Sequence, residues 1–130
     1  MACAVDLTMI IRTTMPLGLA AINRRYVSVG RGRMVLAKEY REFRDALAGQ
    51  VQGSPLAGPL CVTVAEGWLR TNRTGPAAGL ALGDIDSPLK CILDALQHGG
   101  AFENDSQVVR LIASKEVADC TLIEVEQWPG

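Results

Sequence analysis

The chain has 130 residues, 48% of them hydrophobic and 21% charged, with a formal net charge of −1. That length supports one buried core and excludes two, and no apolar run approaches the roughly 18–20 residues of a membrane span. The small net charge conceals an uneven distribution: residues 1–73 carry ten basic and five acidic side chains, and residues 74–130 three basic and nine acidic.

Residues 4–12 are rich in apolar and β-branched side chains and predict a strand, ended by Pro16 and Gly18. The N-terminal 20 residues are interrupted by Asp6 and Arg12 and lack a basic start, so no secretory signal is expected. Residues 24–36 mix basic, aromatic and β-branched side chains around Gly30 and Gly32, the pattern of a short hairpin or an irregular basic loop. Tyr40, Phe43, Ala46 and Leu47 recur at helical spacing and predict an amphipathic helix over 37–50, with Lys38, Arg41 and Arg44 on its polar face. A Gly/Pro-rich turn at 53–59 precedes a second strand at 60–65.

The glycine-rich stretch 67–83, with Arg70 and Arg73, predicts a long loop of the kind that is functional or disordered. A second helix is expected over 87–97, with Pro88 in its first turn and Leu89, Ile92, Leu93 and Leu96 as its apolar stripe. His98 is expected to cap that helix beside Gly99 and Gly100. Strands follow at 107–114 and 120–126, joined by a charged turn at 115–119, with Trp68 and Trp128 as packing or edge residues. The expected architecture is a single α+β domain over residues 1–130, with a mixed or antiparallel sheet and two principal helices. Cys3, Cys61, Cys91 and Cys120 are too far apart in sequence for zinc-type pairs. Three of them sit in apolar runs as small hydrophobes, which fits a reducing cytoplasm.

The chemistry concentrates in Asp84, Asp86, Lys90, Asp94 and Asp105. Asp86, Lys90 and Asp94 are spaced i, i+4, i+8 and share one helix face, opposite the apolar stripe. Asp84, two residues earlier, projects to the same side if its approach is extended, and Asp105 follows a glycine turn. Hard carboxylate oxygens of this kind suit Mg²⁺ or Mn²⁺, which keep several waters and take substrate phosphate as a further ligand. The same residues also read as helix capping, an exposed i, i+4 pair and turn chemistry. A basic half beside an acidic half suits cations on phosphates and carboxylates on metal.

The run Asp84-Ile-Asp86-Ser-Pro-Leu-Lys90-Cys-Ile-Leu-Asp94-Ala-Leu96, then Asn104-Asp105-Ser-Gln107-Val-Val109, closely resembles the core motif of RusA-like Holliday junction resolvases. Asn23-Arg-Arg-Tyr26, Gly30-Arg-Gly-Arg33, Lys38-Glu-Tyr40 and Phe43-Arg-Asp45 extend the resemblance over residues 16–116. It implies a small α+β homodimer from a bacterium or prophage. It also implies a Mg²⁺-dependent endonuclease that cuts four-way DNA junctions by paired nicks. By resemblance, Asp84, Asp86 and Asp105 are the catalytic, metal-binding aspartates, Lys90 the catalytic lysine and Asp94 a supporting residue. Ser87 and Asn104 depart from the family, which usually has Asn and Asp there. Charge and placement add Arg24, Arg25, Arg31, Arg33, Lys38, Arg41, Arg44, Arg70 and Arg73 as DNA contacts. A non-cleaving junction-binding protein and an enzyme on small phosphate esters are the alternative readings.

Overall fold

The computed structural model describes residues 8–20, 26–28, 34–36 and 38–129. Arg24, Arg25, Arg31, Arg33 and the start of the strand expected over 4–12 lie outside the described residues. In chain order the elements are β1 (Thr8–Thr13), a 3-10 turn (Leu17–Ala20), β2 (Tyr26–Ser28), β3 (Met34–Leu36) and α1 (Lys38–Ala48). Then come β4 (Leu60–Trp68), α2 (Leu89–His98), a 3-10 turn (Asp105–Gln107), β5 (Val108–Val117) and β6 (Thr121–Gln127). Strands β2 and β3 pair antiparallel as a separate two-stranded sheet, so the hairpin reading of 24–36 holds over the paired residues.

The main sheet has the order β1-β6-β4-β5. Among the described residues its one parallel pair is β4 with β5, a pairing that demands a long crossover, here the loop after β4 and α2. The result is the expected α+β domain with a mixed sheet. Period-2 alternation on β4 turns Leu60, Val62 and Val64 toward the helices, where they join Ile11, Ile123 and Val125. Tyr40, Phe43 and Leu47 of α1 and Cys91, Ile92, Ala95 and Leu96 of α2 close the core. Leu89 and Leu93 pack at its margin, and Ala46 is exposed rather than part of the buried stripe. Cys61, Cys91 and Cys120 are free thiols.

Three boundaries differ from the sequence expectation. The helix begins at Leu89, because residues 85–88 form consecutive turns in which Asp84 O accepts from the Ser87 N–H and Asp86 O from the Leu89 N–H, each at 3.2 Å. Gly99 takes the C-cap position, and His98 is simply the last helical residue, 3.7 Å from Asp45. Third, β4 and β5 both run on, to Trp68 and Val117, since the parallel ladder continues through Glu66↔Lys115 and Trp68↔Val117. Lys115 is therefore a strand residue, where a charged turn was expected over 115–119.

The chain leaving β5 does not make a hairpin with it. It crosses the end of β4 so that β6 pairs on the other side. The crossing requires Gly67, since a Cβ there would collide with the Cys120 carbonyl.

Candidate functional site

The crossover sets the segment before α2 against the C-terminal half of the β4–β5 pair, through Lys115, and sets the 3-10 turn before β5 against α2. The 69–83 loop is organised. Isolated bridges join Thr71 with Ala81 and Asn72 with Ala78. The Asn72 side-chain amide donates to Leu80 O and Ala81 O, both at 3.3 Å.

The end of the loop is seated from below. The Lys115 ammonium donates to Ala81 O at 2.8 Å and Gly83 O at 2.7 Å. Gly83 lies against the Trp68 indole so closely that a Cβ would overlap the ring. Asp84 follows directly, so strand residues Trp68 and Lys115 determine where the aspartate segment begins.

Lys90 stands at the centre of one charged group. Its Nζ lies 3.2 Å from Asp94 Oδ1 and 3.4 Å from Asp105 Oδ2. Asp94 in turn accepts from the Tyr40 hydroxyl at 2.9 Å, which ties the group to α1. The hydrogen bond to Asp94, with a smaller contribution from Asp105, outweighs partial burial and raises the Lys90 pKa above its ordinary value, so the side chain is an ammonium. Asp105 is held by its backbone, whose N–H donates to Gln97 Oε1 at 2.9 Å. Asn104, one of the two family departures, caps the 3-10 turn through a reciprocal capping box with Gln107.

A second group lies around β4. Continuing the alternation of Leu60, Val62 and Val64, Glu66 enters the same face and is fully buried. Its Oε1 accepts from the Trp68 indole N–H at 3.0 Å, while its Oε2 has no hydrogen-bond partner among the described residues. Burial pushes the Glu66 pKa up from 4.5 to about 7, opposed by the Trp68 hydrogen bond and the Lys115 charge and reinforced by the nearby Asp86 carboxylate. Asp84 and Asp86 themselves are exposed on the turns.

The structure thus joins Lys90, Asp94 and Asp105, and separately places Asp86 near Glu66. Among the described residues no three His, Cys, Asp or Glu side chains converge closely enough to enclose an ion. The i, i+4, i+8 expectation holds for Lys90 and Asp94; Asp86 precedes the helix, and the approach at Asp84 is turned rather than extended.

Of the expected DNA contacts, Arg41, Arg70 and Arg73 are exposed. Lys38 is exposed too, with Glu42 3.7 Å away. Arg44 is drawn onto Asp45 at 2.9 Å. Glu66, Trp68, Lys115 and Tyr40 escaped the sequence reading of the site. For Glu66 a signal was there, since extending the period-2 pattern of β4 by one step buries a carboxylate.

Fold and site together define a small α+β domain carrying an ammonium–carboxylate cluster over a parallel strand pair. The chain matches the family described as Endodeoxyribonuclease RusA over residues 18–126, and it belongs to that family. Membership makes it a nuclease of the Holliday junction resolvase type and agrees with the resemblance read from the motif. No curated protein matches the chain significantly. No helix among the described residues is long and apolar enough to cross a membrane.

Proposed function

We propose that the chain is a divalent-metal-dependent endodeoxyribonuclease that resolves four-way DNA junctions by paired symmetric nicks, acting as a homodimer in DNA recombination and repair. Its setting is the cytoplasm of a bacterium, encoded by the host or by a prophage. The observation that carries this reading is the family match across residues 18–126 together with a lysine held between two carboxylates of the matching motif.

The donor set fits Mg²⁺, with Mn²⁺ as a substitute. All the candidate ligands are carboxylates, and the buried Glu66 Oε2 lacks any donor among the described residues. Such an ion keeps several waters and takes substrate phosphate as a further ligand, so the protein does not have to enclose it. Asp84, Asp86 and Asp105 are the residues proposed to hold it. When bound, such an ion activates water and offsets charge on the phosphate.

Lys90 presents its ammonium to a phosphate oxygen, a contact that strengthens as negative charge accumulates there. Asp94 and Tyr40 orient that ammonium. Lys115 and Trp68 hold the loop that carries Asp84 and Asp86. The exposed cations Lys38, Arg41, Arg70 and Arg73, with Arg24, Arg25, Arg31, Arg33 and Arg44, supply sequence-independent phosphate contacts.

A two-fold assembly presents two equivalent sites to two symmetric strands. Strand β5 supports one: it is one of the two edges of the sheet among the described residues, with Val109, Leu111, Ile112 and Val117 exposed, the kind of edge that pairs with another chain. Antiparallel self-pairing centred on Ala113 sets Arg110 opposite Glu116 and Val109 opposite Val117. Its two-fold axis is perpendicular to the sheet, so both sites face the same side.

The test is to incubate the purified protein with a synthetic four-way junction and with linear duplex, in Mg²⁺ or in EDTA. Paired nicks in the junction alone, only with Mg²⁺, and none from Asp86→Asn despite retained binding, are expected. Equal cutting of linear duplex refutes the structure-selective reading. The lack of three converging carboxylates among the described residues favours one second reading, a junction-binding protein without cleavage. Binding without nicks in any metal supports it.

A further inference from the structure

We propose that Glu66 is a cation ligand acting together with Asp86 from beneath the loop. The inference rests on the metal-dependent reading above and adds to it a residue from β4, outside the motif that carries the resemblance.

Three observations place Glu66 in this role. It is fully buried at the point where the apolar face of β4 gives way to the site. Buried carboxylates are retained where something compensates them, and here compensation is half made: Trp68 donates to Oε1 at 3.0 Å, and Oε2 has no hydrogen-bond partner among the described residues. The cation beside it in the ladder does not supply it. Lys115 is paired with Glu66 in the ladder register, but its ammonium is turned to the carbonyls of Ala81 and Gly83.

The surroundings favour a metal over a hydrogen-bond donor. Lys115, the ladder partner of Glu66, grips Ala81 and Gly83, and Asp86 follows three residues on, which brings a second carboxylate to the neighbourhood of Glu66. Two carboxylates in mutual repulsion are relieved together by one divalent ion, and hard oxygen donors select Mg²⁺ or Mn²⁺. Trp68 fixes the plane of the Glu66 carboxyl through Oε1 and leaves Oε2 for the ion. That is the arrangement by which outer hydrogen bonds orient a ligand.

The purified full chain is titrated with Mn²⁺ by isothermal calorimetry without DNA, alongside Glu66→Gln, Glu66→Asp and Asp86→Asn, and the metal-induced rise in melting temperature is read in parallel. Glu66→Gln and Asp86→Asn are each expected to weaken Mn²⁺ binding by on the order of tenfold or more and to lose most of the thermal rise. Glu66→Asp keeps the charge but shortens its reach; it is expected to fold and still to bind more weakly than wild type. If Asp86→Asn weakens binding while both Glu66 variants stay within about twofold of wild type, this inference is overturned and the metal-dependent reading stands. If the wild type takes up no Mn²⁺, both are overturned.

Discussion

Replacing Glu66 by Gln in the presence of EDTA isolates what a buried carboxylate does to the stability of the metal-free protein. Burial, reinforced by Asp86 and only partly offset by the Trp68 hydrogen bond and the Lys115 charge, raises the folded-state pKa from 4.5 to about 7. Below pH 4.5 the group is protonated in both states and contributes no difference. Between pH 4.5 and about 7 the unfolded chain releases its proton while the folded chain keeps it, so stability falls as pH rises.

Well above pH 7 the loss is complete and constant. At 1.36 kcal/mol for each pH unit between the two values it amounts to about 3 kcal/mol, or roughly 10 °C in melting temperature for a domain of this size. Gln cannot ionise, so whatever its own fit, the stability difference between Glu66→Gln and wild type should move by about 3 kcal/mol in favour of the variant from pH 4.5 to pH 8. Urea unfolding at half-unit pH intervals measures it. Curves that stay parallel across that range refute the reasoning, because they mean that ionising Glu66 does not penalise the fold.

Two other outcomes follow from close contacts and from the free strand. Gly83→Ala puts a methyl group into the Trp68 ring and should destabilise the protein by about 1–3 kcal/mol in urea unfolding; an unchanged midpoint means the loop moves off the indole without penalty. Arg110→Glu and Glu116→Arg should each weaken self-association in sedimentation equilibrium, and the double variant should restore it, whereas a dimer unaffected by either places the interface elsewhere.

How much of the site was legible depended on the range of the interactions that make it. The Lys90–Asp94 pair follows from helical spacing, and its polar face from the apolar stripe opposite. The start of α2 was read two residues early because Asp84 and Asp86 accept turn hydrogen bonds from Ser87 and Leu89, and spacing alone does not separate a turn from a first helical turn. The strand ends were read short because a charged residue such as Glu66 or Lys115 looks like a boundary, whereas a parallel ladder with an apolar neighbour carried both strands past it.

The sequence by itself determined the α+β composition, the two amphipathic helices and the aspartate–lysine motif of the RusA family, since each rests on periodicity or on residues near one another in the chain. Only the tertiary structure decided that β6 crosses to the far side of β4 and that Tyr40 of α1 holds Asp94. It alone seated the 81–83 segment on Trp68 and Lys115, and it alone set Glu66 under the loop with one oxygen unsatisfied among the described residues. These are contacts between segments distant in sequence. Strand pairing and the space left over by packed side chains select them, and neither is written in local pattern.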